Sequence, residues 1–159
     1  MTVTENYLSI IKESSLFVFG KILKEKKIEL LEEDRSEDFF DISATISLSN
    51  SNLKILVTLG TAIESAKFYA KHFLRMKVEP TEELINSSLC ELVNIIVGDA
   101  KKRMQLSDIS LGLPQLVEGH NHKLYIENKG ITACKCIYQV EGFQFKQIVQ
   151  ITMSENEAV

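Results

Sequence analysis

Four residues within the stretch Ser87–Lys101 have types and spacing suited to chemistry on a protein surface. At about 100° per residue, Ser87, Glu91, Asn94 and Gly98 fall on one narrow stripe of a helix. Leu89, Leu92, Val93, Ile96 and Ala100 take the opposite side and are expected to face a core. A solvated stripe usually carries Lys and Glu, whereas this one carries a carboxylate, a carboxamide and a glycine. Glu91 and Asn94 are i,i+3 neighbours, so their heads sit side by side. An amide is no useful base at neutral pH, but it accepts and donates hydrogen bonds and can fix a water. Glycine in a helix interior costs roughly 1 kcal/mol relative to Ala. A partner backbone approaching the flat spot at Gly98 would account for that cost.

The other chemistry-bearing residues point to structural roles. His120 and His122 could supply two metal ligands, but no third ligand lies near in sequence, which favours a histidine pair in a polar loop over a metal site. Cys134-x-Cys136 lacks redox spacing and, on a strand, puts both thiols on one face as small apolar groups. Cys90 falls toward the edge of the stripe without a base beside it. His72 reads as a surface or satisfied core histidine. No Gly-rich phosphate loop of the Walker type is present. Glu83 and Asn86 repeat the Glu91–Asn94 spacing, but in the first turn of the same helix, where acidic residues are favoured anyway.

The elements that position the stripe follow from periodicity. Leu8–Lys24 is apolar at helical spacing. Ile28, Leu30 and Leu31 form an apolar island that fits an edge strand. Phe40 to Leu48 and Leu53 to Leu59 alternate with polar residues around the turn Ser49–Asn52, which predicts a hairpin over Phe39–Leu59. Thr61-Ala62-Ile63-Glu64 has capping-box spacing and opens a helix through Arg75. After Pro80, Thr81 caps the helix that carries the stripe, with Lys101, Lys102 and Arg103 in its last turn as the macrodipole prefers. Lys101 and Lys102 are also placed to touch an acidic partner. Gly112-Leu113-Pro114 marks a loop. Strand-like runs follow at Leu124–Glu127, Ile131–Val140 and Phe143–Thr152, with turns at Asn128–Gly130 and Glu141–Gly142 and a frayed tail from Ser154. Strands at both ends of a helical middle imply an α+β fold with a largely antiparallel sheet packed against long helices.

A length of 159 residues suits one domain, 1–159, with one core. A net charge of -4 and a pI near 5.5 argue against nucleic acid or an anionic membrane as partner. No apolar run approaches the ~20 residues of a membrane span. The polar N-terminus lacks a secretory pattern, and three cysteines without framework spacing fit a reducing cytoplasm.

Ser87-x-x-x-Glu91-x-x-Asn94, continued by Ile95-Ile96-Val97-Gly98-Asp99-Ala100-Lys101 and later by Gly112-Leu113-Pro114-Gln115-Leu116-Val117-Glu118-Gly119, resembles the CheX branch of the CheC/CheX/FliY phosphatases of bacterial chemotaxis. The family motif places an Asp or Ser, a Glu, an Asn and a later Pro, here Ser87, Glu91, Asn94 and Pro114. The resemblance implies removal of the phosphoryl group from the aspartyl phosphate of a CheY-type response regulator. Acyl phosphate hydrolysis needs little beyond a water held in line with phosphorus. Asn94 would orient that water, and the role carried over to Glu91 is contact with the regulator's active-site lysine. Ser87, Gly98 and Pro114 would belong to the docking surface. The resemblance further implies that this chain binds no cofactor, Mg²⁺ being held by the regulator. It also implies a homodimer joined at sheet edges, for which the apolar strands in Ile131–Thr152 are suited. CheC members carry two such helices; only one copy is found here, since Glu13 of the first helix has no Asn three residues on. A non-catalytic module that docks a chemotaxis or flagellar-switch partner through the same helix face is the alternative.

Overall fold

Alternating apolar residues build the sheet, and three apolar helix faces cover one side of it. The structure, a computed structural model, describes residues 1–24, 26–32, 39–106, 108–123 and 131–154, without the side chains of Glu32, His120 and Asn121. The expected strand Leu124–Glu127, the expected turn Asn128–Gly130 and the tail beyond Ser154 lie outside the described residues. In chain order the elements are α1 (Val3–Ile22), β1 (Glu29–Glu32), β2 (Phe39–Ser49), β3 (Leu53–Thr61), α2 (Ile63–Phe73), α3 (Glu82–Met104), β4 (Ser110–Leu111), β5 (Gln115–Lys123), β6 (Thr132–Val140) and β7 (Phe143–Met153). The strands form one sheet in the order β1-β6-β7-β3-β2-β4, with β5 also on β2. Every strand pairing is antiparallel. The architecture is therefore α+β with an antiparallel sheet, as the sequence predicts.

The expected hairpin is β2–β3. The Asn50 side chain makes its turn, accepting hydrogen bonds from the N–H groups of Asn52 and Leu53, each at 2.8 Å. The β6–β7 turn places Glu141 at φ 49° and Gly142 at φ 84°, the left-handed pair that a two-residue hairpin turn requires.

Four expectations need correction. The first helix starts at Val3, not Leu8, because Thr2 and Glu5 form a reciprocal capping box. Thr61 does not cap α2. It ends β3, where its hydroxyl donates to the Gln144 carbonyl. The Asp41 carboxylate caps α2 instead, accepting from the Ile63 N–H at 2.9 Å. The segment after Pro114 is a nine-residue edge strand, β5, rather than a loop. Its pairing with β2 shifts register between Phe40 and Ile42, which breaks the alternation in its sequence. Finally, β7 is not an edge strand, since it lies between β6 and β3, and β1 pairs with β6 along Cys136–Gln139 only.

The core lies between the helices and the sheet. Ile11, Phe19, Leu89, Leu92, Ile96, Val57, Leu59, Tyr138 and Phe145 are fully buried there. One polar chain crosses this core. Tyr138 donates to Gln147 Oε1 at 2.9 Å, Gln147 Nε2 donates to Ser15 Oγ at 2.7 Å, and Ser15 donates to the Ile11 carbonyl at 2.7 Å. Each group in it has a partner, so the chain ties α1 to the sheet without an unsatisfied dipole.

Candidate functional site

Helix α3 is set by its caps and its buried face. The Thr81 hydroxyl accepts from the Leu84 N–H at 3.3 Å, Glu82 and Glu83 occupy the first turn, and Lys101, Lys102 and Arg103 the last. Ile85, Ser88, Leu89, Leu92, Val93, Ile96, Val97, Ala100 and Met104 are buried. The remaining stripe faces outward. Ser87 and Glu91 are exposed, and Asn94 and Gly98 are half-buried. Among the described residues, neither Glu91 nor Asn94 is engaged in a hydrogen bond or ion pair. The Ser87 hydroxyl donates to the Leu84 carbonyl at 3.2 Å. A Cβ added at Gly98 would meet nothing within 4 Å. The acid and the amide thus stand on a ridge, with a bare turn of helix after them. Toward the N-terminus, a shallow groove lined by Glu82, Glu83, Asn86, Ser87 and Cys90 continues the same surface.

Pro114 is not on this ridge. It lies in the β4–β5 connection at the sheet edge, where the Gly112 N–H donates to the Ser47 carbonyl at 2.8 Å.

The groups under Glu91 are apolar or neutral. Burial pushes the Cys90 thiol up, and the Glu91 charge pushes it further, so it stays a thiol at neutral pH. Burial likewise drives the Tyr69 phenol far above its ordinary range, with Glu91 adding to the effect. The Tyr69 hydroxyl is buried and has no hydrogen-bond partner among the described residues.

Beside the ridge runs α1. Its Thr4 meets Met153 at one end of β7, and Phe19 packs on Tyr138 and Phe145 at the other, so α1 is antiparallel to β7. Helix α3 starts beside Ile42 and ends ahead of β4, which pairs with Leu48, so it runs parallel to β2 and antiparallel to α1. The two helices meet at Arg103. Its Nε donates to Asp99 Oδ2 at 2.6 Å, its guanidinium lies 3.8 Å from Glu13, and it stacks over the Phe17 ring with 5.3 Å to the centroid. In the sequence Arg103 stands out only as helix-end charge. The i,i+4 spacing of Asp99 and Arg103 was legible, but the partners on α1 were not.

His122 is held by hydrogen bonds at both ring nitrogens. His122 Nδ1 lies 2.8 Å from the Gly119 carbonyl, which can only accept, so that nitrogen carries the proton. Its Nε2 then accepts from the Ser43 hydroxyl at 3.0 Å. Both ring nitrogens are occupied, and the His120 side chain lies outside the described residues. Among the described residues no group of three His, Cys, Asp or Glu could hold a metal ion. Nor is any described helix long and apolar enough to cross a membrane. Cys136 is buried against Tyr138 and Gln147, as a small core residue.

An antiparallel sheet with helices packed on it is the architecture of the CheC/CheX-like class of α+β proteins. The model of the family described as chemotaxis phosphatase CheX matches residues 42–137, and the chain belongs to that family. Among solved structures, a CheC-like superfamily protein from Shewanella sp. PV-4 superposes with a TM-score of 0.76 at 17% identity, covering 95% of this chain and 99% of that one. The CheX–CheY–BeF3–Mg²⁺ complex from Borrelia burgdorferi matches with a TM-score of 0.77 at 19% identity, over 92% of this chain and 97% of that one. FliY from Thermotoga maritima matches with a TM-score of 0.60 at 15% identity, over 99% and 93%. No curated protein matches the sequence.

Proposed function

We propose that this chain, acting as one domain, is a phosphatase that hydrolyses the aspartyl phosphate of a CheY-type response regulator. The observation that carries this reading is the pairing of Glu91 and Asn94 on the outward stripe of α3, one turn before the bare surface at Gly98, in a CheX-family fold. A convex ridge cannot enclose a substrate. It can enter the pocket of another protein, and a receiver pocket that already holds a carboxylate, a lysine and Mg²⁺ lacks only a positioned water. The Asn94 amide would accept from and donate to that water, aligning it with phosphorus and the departing carboxylate. The Glu91 carboxylate would pair with the receiver's lysine and fix the depth of insertion. The relative crystallised with CheY, Mg²⁺ and a beryllium fluoride, a phosphoryl-like group, supports such a partner and leaves the metal to it. In this reading Ser87, Gly98 and Pro114 shape the docking surface. The protein works in the cytoplasm as a homodimer joined at sheet edges, for which β1 and β5 are the available strands.

Phosphate release from a phosphorylated receiver tests the mechanism. Asn94→Ala is expected to lower kcat by about 10²-fold while binding is kept. An Asn94→Ala protein that turns over at the parent rate refutes it. The alternative is a docking module without catalysis that uses the same helix face. It predicts receiver binding with no acceleration of phosphate loss by the unaltered chain.

A further inference from the structure

We infer that Phe17 of α1, clamped by Arg103, is a second anchor for the phosphorylated receiver beside the Glu91–Asn94 ridge; this rests on the function proposed above. Phe17 is 52% exposed, an aromatic ring on the solvated face of a helix. It does not lie loose. Arg103 stacks on it and is itself held by Asp99 at 2.6 Å and by Glu13 at 3.8 Å. The ring and the guanidinium are thus ordered before any partner arrives, which lowers the entropy lost on binding. Aromatic and Arg side chains of this kind dominate the energy of protein interfaces.

Two further features place Phe17 in the same footprint as the catalytic pair. Asp99 comes one residue after Gly98, on the flank of α3 beside the ridge, where it holds the Arg103 that reaches Glu13 of α1. At 1.5 Å per residue, Arg103 lies only about 14 Å along the helix axis from Asn94. An interface of ~800 Å² per partner is a patch about 16 Å in radius. A patch of that radius over Asn94 covers α3 as far as Arg103, and Phe17 stands beside Arg103 on the neighbouring helix. Secondly, Glu13, Phe17 and Gly20 repeat on α1 the spacing of Ser87, Glu91 and Asn94 on α3. A Cβ at Gly20, as at Gly98, would meet nothing within 4 Å. Two antiparallel helices, each with an open glycine, make a flat platform with the reactive pair on one helix and an apolar ring on the other. The occupant that fits is a receiver whose acidic phosphorylated pocket takes the ridge, while an apolar patch beside that pocket takes Phe17. Exposed Lys21 on α1 and exposed Lys102 on α3 add positive charge to suit an acidic partner.

The test separates binding from turnover. The probe is a receiver domain charged with beryllium fluoride for equilibrium binding, and with a small phosphodonor for kinetics. Phe17→Ala is expected to raise Kd and KM about tenfold, with kcat within about twofold of the parent. Phe17→Leu, which keeps the apolar bulk, is expected to retain most of the affinity and so separates lost contact from a disturbed fold. Asn94→Ala is expected to show the opposite split. Unchanged Kd and KM in Phe17→Ala overturn the inference, as does a loss confined to kcat. It is also overturned if Phe17→Ala dissociates an oligomer of this chain in sedimentation while receiver affinity is kept. If the unaltered chain binds the receiver without turnover, the phosphatase reading falls and the anchor is judged on Kd alone. If it binds no receiver at all, both fall.

Discussion

Gly98 separates folding from function in one substitution. In the free protein the position is a helix interior, and an added Cβ meets nothing within 4 Å. Nothing in the fold therefore opposes an alanine there. Gly→Ala at an unstrained helical site gains about 0.8–1 kcal/mol, chiefly by restricting the unfolded chain. With an unfolding entropy of about 2.1 cal/mol/K per residue, 1 kcal/mol raises Tm by about 3 °C in a domain of this size. If the bare turn exists for a visiting backbone, the same methyl obstructs docking. Gly98→Ala is thus expected to be more stable and to bind its receiver more weakly, with KM raised several-fold. Thermal unfolding and receiver kinetics on the same preparation check both halves. A higher Tm with unchanged kinetics refutes docking at Gly98. A lower Tm refutes the reading of this turn as unobstructed helix.

Two buried phenols are expected to respond differently to loss of the hydroxyl. Tyr138→Phe removes the donor to Gln147 and should cost about 1–2 kcal/mol in chemical denaturation. Tyr69→Phe removes a hydroxyl without a partner and should not lower stability; equal losses in the two variants would refute this. Gly60→Ala drives a Cβ to 2.6 Å from the Phe40 ring and should destabilise by about 2 kcal/mol, read as a fall in denaturant midpoint. Glu118 is held above the ordinary carboxyl range by its hydrogen bond to Glu82, with burial and the Glu82 charge adding. A raised folded-state pKa means stability present at acid pH that is lost as pH rises through the raised value. Glu118→Gln is accordingly expected to flatten the Tm profile across the acidic range, and parallel profiles for parent and variant would contradict the pairing.

What the sequence discloses depends on whether the partners of a residue are local. Helix α3 is readable because its buried residues recur at helical spacing and Thr81 supplies its cap within the same turn. The β2–β3 hairpin is readable because alternation flanks an Asn whose side chain closes its own turn. The cap of α2 is not, since Asp41 lies 22 residues before Ile63 and reaches it only after the sheet has formed. The Thr61-Ala62-Ile63-Glu64 pattern is a local signal that tertiary pairing overrides. Strand β5 is obscured because Glu118, Gly119, His120 and Asn121 interrupt its alternation at the register shift opposite Phe40 and Ile42. The ridge itself is legible from phase alone. The Phe17–Arg103 clamp joins two helices distant in sequence and could not be read from either.

A ridge of this shape also constrains how the chemistry is divided. Water exclusion and a low dielectric strengthen electrostatic catalysis, and a side chain on a convex surface has neither until its partner closes over it. In the proposed mechanism Glu91 and Asn94 are therefore useful to the degree that α3 holds them still during insertion. The helix is braced for this. Nine of its residues are buried, Arg103 ties it to α1, and its first turn is capped. A flexible loop carrying the same acid and amide would lose much of the alignment gain, because about 1 Å of misplacement costs on the order of 10²-fold. A rigid amphipathic helix is thus the element that a catalyst working inside another protein's pocket requires, and its outward face is where the functional residues have to lie.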